Sequence, residues 1–121
     1  MKPYIICVMT LAHRIEELQN LDQGWMNGQG APIEREAFLL VPELAELLEE
    51  TGIERIGLFP TIEGSLELEW QTGDNLRQGI TLNKDTIRLS SLDADNDYRE
   101  EEFANATPYQ TIDAVKKFFA F

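Results

Sequence analysis

Apolar positions along this chain change their period several times, and each change marks an element. Over residues 9–21, Leu11, Ile15, Leu18 and Leu21 recur at spacings of four, three and three, which puts them on one face of a helix. Thr10 is its expected N-cap, and Arg14, Glu17 and Asn20 or Asp22 take the wet side. Residues 1–8 combine Pro3 with the β-branched run Ile5, Ile6 and Val8, and fit either a β-rich lead-in or an extension of the helix. Residues 22–32 (DQGWMNGQGAP) are a loop, with Gly24, Asn27, Gly28 and Gly30 available for positive φ. Trp25, in the middle of that loop, is expected to plug the core. Residues 33–51 return to a helical period through Ala37, Phe38, Val41, Leu44, Ala45 and Leu48, with Leu40 and Leu47 beside the stripe. Glu34 and Glu36 suit the positive N-terminal end of the helix dipole. Pro42 lacks an N–H and clashes with the preceding turn, so it must kink or divide the stretch. A second helix with Pro42 in its first turn removes the conflict. Gly52 ends it as the residue after the C-cap.

The period then drops to two. Residues 55–61 are short and apolar-rich, and Glu63-Gly64 signals a tight turn. In residues 65–71 (SLELEWQ), Leu66, Leu68 and Trp70 face one way and Glu67 and Glu69 the other, the clearest strand pattern in the chain. A turn at residues 72–75 leads to a second alternation through Leu76, Gln78, Ile80 and Leu82. After Asn83-Lys84-Asp85, residues 86–91 add a fourth strand with Ile87 and Leu89 inward. Residues 92–106 are polar and acidic and are expected to be a loop. Thr107-Pro108-Tyr109-Gln110 is a capping box with proline in the first turn. It opens a last helix striped by Ile112, Val115 and Phe119, with Lys116 and Lys117 at its negative end. Helices, then strands, then a helix, without βαβ alternation, predict one α+β domain over residues 1–121. N-terminal helices and one C-terminal helix should pack on a four-stranded antiparallel meander, with Trp25, Phe38, Trp70 and Phe119 in or near the core.

Composition narrows the function. The chain has 121 residues, 10 Lys and Arg against 22 Asp and Glu, and a net charge of −12. An acidic domain of this kind does not grip nucleic-acid phosphates and is a poor match for anionic membrane surfaces. One cysteine, Cys7, excludes an internal disulfide, and its apolar neighbours suggest a buried small hydrophobe. One cysteine and one histidine cannot build a His/Cys zinc site within one chain. The apolar run Tyr4 to Met9 is too short to span a bilayer. No A-x-A cleavage site follows it, so it reads as part of the folded domain of a cytoplasmic protein.

The candidate chemistry is sparse. The glycines of the 22–32 loop do not form a phosphate cradle, since no lysine follows them and no strand clearly precedes them. His13 could pair with Glu16 or Glu17 at helical spacing, but no nucleophile accompanies it in a local motif, and it reads as a solvated helix histidine. Glu67 and Glu69 stand about 7 Å apart on one strand face. That spacing resembles a glycosidase acid–base pair, although the plainer reading is the wet side of the strand. Asp93, Asp95 and Asp97 match positions one, three and five of an EF-hand loop. Tyr98 stands where that loop needs glycine and Ala104 where it needs a bidentate glutamate, so the match fails. No cofactor, metal ligand or catalytic residue is expected.

Two segments carry a resemblance. Gly24-Trp25 followed by Gly30-Ala31-Pro32-Ile33 is similar to the GWDG-x-GA-x-PI loop of a family of small uncharacterised bacterial proteins. Pro60-Thr61, Glu63-Gly64 and Leu66-Glu67-Leu68-Glu69-Trp70 resemble that family's PT-x-x-G-x-x-LEW hairpin, in the same order. Met26 and Asn27 stand where the family has Asp-Gly, the residue between Ala and Pro is missing, and one extra residue precedes Gly30-Ala31. The resemblance covers roughly residues 18–90. It implies an α+β domain of bacterial or phage origin and brings no established activity.

What remains is the acidity. Negative charge on a small domain keeps it soluble, and it can also complement a basic partner. The expected function is a non-enzymatic protein–protein interaction module: an inhibitor, antitoxin-like or phage-defence-related, that covers a basic protein surface. Its expected contact residues are Glu67, Glu69, Asp93, Asp95, Asp97, Glu100, Glu101 and Glu102. A small carboxylate- or metal-dependent hydrolase and a homo-oligomeric structural subunit are the alternatives.

Overall fold

The computed structural model describes residues 5–6, 8–53, 55–93 and 95–121, with side chains from residue 12 onward. The expectations for Cys7 and for the Leu11 side chain lie outside the described residues. The fold is α+β. A two-residue strand β1 (Ile5–Ile6) leads into helix α1 (Val8–Gln19), a 3-10 turn (Arg35–Phe38) and helix α2 (Val41–Glu50). Strands β2 (Ile56–Pro60), β3 (Leu66–Gln71), β4 (Arg77–Leu82), β5 (Thr86–Leu92) and β6 (Tyr98–Ala104) follow, and helix α3 (Pro108–Phe119) closes the chain. The sheet has six antiparallel strands in the order β1 to β6, not the four that alternation alone suggests. The expected acidic loop over residues 92–106 holds the sixth strand. Its side chains are exposed on both faces except Phe103, so it shows no period-two signal.

The helices all pack on one face. Leu58, Leu66, Leu68, Ile80 and Leu89 of the sheet meet Leu18, Val41, Leu44, Leu48, Val115 and Phe119 in one buried cluster. Each fully buried leucine or isoleucine contributes about 1.5–3 kcal/mol by leaving water. The indole of Trp70 lies edge-on to Phe119, with ring centroids 5.1 Å apart. Its N–H donates to Oε1 of Gln78 at 2.8 Å, its cross-strand partner, which satisfies the indole N–H and the amide oxygen of two buried side chains.

Local chemistry sets the ends of the helices. Residues 33–51 divide as Pro42 requires: a 3-10 turn first, then α2 with the proline in its first turn. Gly52 N–H reaches Glu49 O at 3.0 Å and Ile53 N–H reaches Leu48 O at 3.1 Å, a Schellman ending with Gly52 at φ 92°. In α3, Thr107 Oγ1 accepts from Gln110 N at 3.1 Å, and Gln110 Oε1 accepts from Thr107 N at 2.9 Å. Helix α1 starts at Val8, so Thr10 lies in its first turn and not at the N-cap. Its last turn tightens, with Asn20 N–H on Glu17 O and Leu21 N–H on Leu18 O.

Arg14 is not on the wet side of α1. It is buried, and its Nε and Nη2 donate to Leu58 O at 3.2 and 3.1 Å, while Nη1 reaches Glu17 Oε2 at 3.4 Å. The physical reason is the backbone acceptor that Leu58 offers: a buried guanidinium must be hydrogen-bonded, and this carbonyl takes two of its donors.

The two segments that carry the sequence resemblance lie against each other. Ala31 N–H donates to Ile62 O at 2.8 Å and Glu34 N–H to Gly64 O at 3.0 Å, strapping the loop to the β2–β3 turn. Trp25 is half-buried and plugs its own loop: its Nε1 donates to Ala31 O at 2.7 Å, and a Cβ on Gly30 would meet that Nε1 at 2.7 Å.

Candidate interaction surface

Antiparallel pairing shares a face between directly opposed residues, so the register lays out the face without helices row by row. One row runs Phe59, Glu67, Thr81, Arg88, Glu102, and the next runs Gly57, Glu69, Gly79, Ser90, Glu100. A third runs Gln71, Arg77, Leu92, Tyr98. The expected residues therefore separate. Glu67, Glu69, Glu100 and Glu102 share the open face. Glu101 alternates to the helix side with Arg99 and Phe103, so it is not part of this surface.

The four carboxylates form two stripes, on β3 and β6. Three strand spacings, about 14 Å, lie between them. Arg88 stands between the stripes, with its Nε 3.7 Å from Glu100 Oε1. Burial holds the Glu67 carboxyl above its usual value of 4.5, the charge and hydrogen bond of Glu69 add to the rise, and Arg88 opposes it. The Tyr98 hydroxyl donates to Glu100 Oε2, and that bond holds the phenol above its usual range.

The floor between the stripes is low. Gly79 and Ser90 sit there, and Gly57 extends it to β2, where the Phe59 ring covers the glycine. A Cβ on Gly57 would meet that ring at 2.4 Å. The result is a shallow depression of about 380 Å³ bordered by Phe59, Glu69, Arg77, Leu92 and Tyr98. Such a surface offers carboxylates, two aromatic edges and a low backbone floor, with Glu69, Glu100 and Glu102 exposed and Glu67 partly buried.

The remaining expected residues lie at one end of the sheet. Asp93 Oδ1 accepts from Asp95 N–H at 2.9 Å and Asp97 N–H at 2.8 Å, so this carboxylate closes the β5–β6 turn. Asp95 and Asp97 are exposed beside it. Among the described residues no group of three or more His, Cys, Asp or Glu side chains is arranged to hold a metal ion. His13 is exposed on α1, with Nε2 3.7 Å from Glu17 Oε1. No helix among the described residues is long and apolar enough to cross a membrane.

Sequence reasoning missed Arg88, Phe59 and Tyr98 as members of this surface. Arg88 was within reach, because it alternates with Ile87 and Leu89. Tyr98 was not, because its place depends on a strand that the polar pattern hides. The chain matches no family model, no curated protein and no solved structure.

Proposed function

We propose that this protein is a non-enzymatic interaction module that presents the open face of its sheet to a basic protein, as an inhibitor of the antitoxin or phage-defence kind would. One observation carries the reading: the strand register gathers Glu67, Glu69, Glu100 and Glu102 on the only sheet face that the described helices leave bare. Long-range attraction from a net charge of −12 speeds encounter with a basic surface. The two stripes, with Arg88 between them, give that encounter an orientation. The flat glycine floor admits close backbone approach, and Phe59 and Tyr98 supply aromatic contact at its borders.

The test is a tagged pull-down from native lysate at low and high salt, repeated with a Glu67→Gln/Glu69→Gln/Glu100→Gln variant. A stoichiometric basic partner, lost at high salt and from the variant, supports the reading. Recovery of the protein alone, or of a partner indifferent to both changes, overturns it.

A further inference from the structure

The outer edge of β6 has no neighbour among the described residues, and its backbone pattern can be read from two hydrogen bonds. Asp93 N–H donates to Asp97 O at 3.1 Å, and Asn105 N–H donates to Asp85 O at 2.7 Å. Antiparallel pairs alternate between bonded and non-bonded. With the register that joins Leu89 to Glu101, the odd residues of β6 therefore bond to β5. The N–H and C=O of Tyr98, Glu100, Glu102 and Ala104 then point outward. A free edge seven residues long is a template for one more strand.

A second observation lies beside that edge. A groove of about 780 Å³ lies between α3 and the helix-side face of β6 and opens beside its edge residues Glu102 and Ala104. Ile87, Phe103, Ala114 and Phe118 give it apolar surface. Of its five charged side chains, Arg99, Asp113 and Lys117 are engaged, and Glu101 and Glu102 line its β6 side. The Arg99 guanidinium lies 4.7 Å from the Phe118 ring centroid and donates to Phe118 O at 3.2 Å, and Lys117 Nζ meets Asp113 Oδ2 at 2.9 Å. A strand added to β6 would turn alternate side chains into this groove and the others toward Glu100 and Glu102.

We infer that β6 accepts an extended segment of the partner protein by β-augmentation, and that this segment alternates Lys or Arg with aliphatic residues. The inference rests on the proposed function and specifies how the partner is held. Residues opposite Glu100 and Glu102 exchange backbone hydrogen bonds with them and place their cations beside the carboxylates. Residues between them place aliphatic side chains against Phe103 and Phe118. A second copy of this chain fits less well: antiparallel pairing centred on Glu101 sets Glu100 against Glu102 and Glu101 against itself, and pairing centred on Glu100 opposes two Glu100 side chains while bringing Arg99 to Glu101; like charges directly opposed repel.

The test uses the full chain and a synthetic nonapeptide alternating lysine and valine, labelled for fluorescence anisotropy at low salt. Two copies carry backbone N-methyl groups, one at the lysines, whose N–H groups face β6, and one at the valines, whose N–H groups face away. The expected result is saturable binding that survives valine methylation and is lost on lysine methylation. An E100K/E102K variant should weaken it about tenfold or more, while E46K/E49K, the same charge change on the exposed side of α2, should leave it within about twofold. Hydrogen exchange at Tyr98, Glu100, Glu102 and Ala104 should slow on binding. Equal binding of both methylated peptides, or a loss confined to E67K/E69K, would overturn the edge reading and leave the open-face reading standing. Absence of any peptide binding also overturns it, and the pull-down then decides the broader reading by itself. Sedimentation as a dimer that E101K breaks would assign the edge to a second copy and refute the proposal.

Discussion

Gly64 joins the β2–β3 turn to the loop that precedes α2, and replacing it with alanine tests that joint. Its φ is 90°, and an added Cβ would meet Pro32 O at 2.7 Å. Two costs follow. The left-handed backbone region disfavours an L side chain by about 1–2 kcal/mol. The clash is with backbone, so it can relax only by parting the loop from the turn. That strains the Glu34 N–H to Gly64 O bond of 3.0 Å, worth about 0.5–1.5 kcal/mol, and its Ala31–Ile62 neighbour. The sum is about 2–4 kcal/mol. At about 2.1 cal/mol/K per residue, unfolding of this chain carries an entropy near 0.25 kcal/mol/K, so the midpoint should fall by roughly 8–16 °C. Two companion variants separate the terms. Gly52→Ala has φ 92° and open space, so it should lose only the conformational term, about 1–2 kcal/mol or roughly 4–8 °C. Gly73→Ala has open space and no left-handed φ, and should stay within about 0.5 kcal/mol or gain slightly. Calorimetry on the three variants gives the order. If Gly64→Ala melts no lower than Gly52→Ala, the contact with Pro32 does not hold the joint and the reasoning fails.

Three further outcomes follow from the same geometry. Thr107→Ala removes the α3 cap and should cost about 1 kcal/mol, seen as a drop of roughly 4 °C; an unchanged melting point would mean that the capping box contributes nothing. Trp70→Phe leaves Gln78 Oε1 buried without its donor and should cost about 2–4 kcal/mol, of which Gln78→Leu in the same chain should recover part in a double-mutant cycle. For Glu67 the raised value means that protonation is favoured by folding: that stabilisation is present below the ordinary value of 4.5 and lost as pH rises through the folded value. Glu67→Gln should therefore stabilise the protein slightly at pH 7, by less than about 1 kcal/mol since solvent screens a partly exposed group. The difference should close in acid, and a gain that persists below pH 4.5 would point to packing instead.

The parts of the fold that were legible in the sequence are those where burial is one-sided. Leu66, Leu68 and Trp70 alternate with Glu67 and Glu69 because one face meets helices and the other meets water. The residues from Ala37 to Leu48 that form an apolar stripe are the ones that become buried, and Pro42 marks the break in their helix. β6 escaped because its position at the edge exposes both faces, so Glu100, Glu101 and Glu102 erase the alternation. The surface inherited that error: three consecutive glutamates read as one acidic patch, whereas a strand sends the middle one to the opposite side. Arg14 escaped for another reason. Its partner is a backbone carbonyl on β2, 44 residues away, and no side-chain pattern records which carbonyl a distant guanidinium will find.

The order of the strands also bears on how the molecule assembles. From β2 to β6 each strand meets its neighbour in sequence, so four hairpins and the α3 cap can form through short closures. The contact between Arg14 and Leu58 spans 44 residues. Compared with closing a ten-residue hairpin, that loop carries an extra entropic cost of about 1.3 kcal/mol. Chain closure thus disfavours docking α1 on β2 before the β2–β6 meander is paired. The two glutamate stripes and the β6 edge belong to that meander, so their spacing is fixed by sequence-local pairings and does not depend on the Arg14–Leu58 closure.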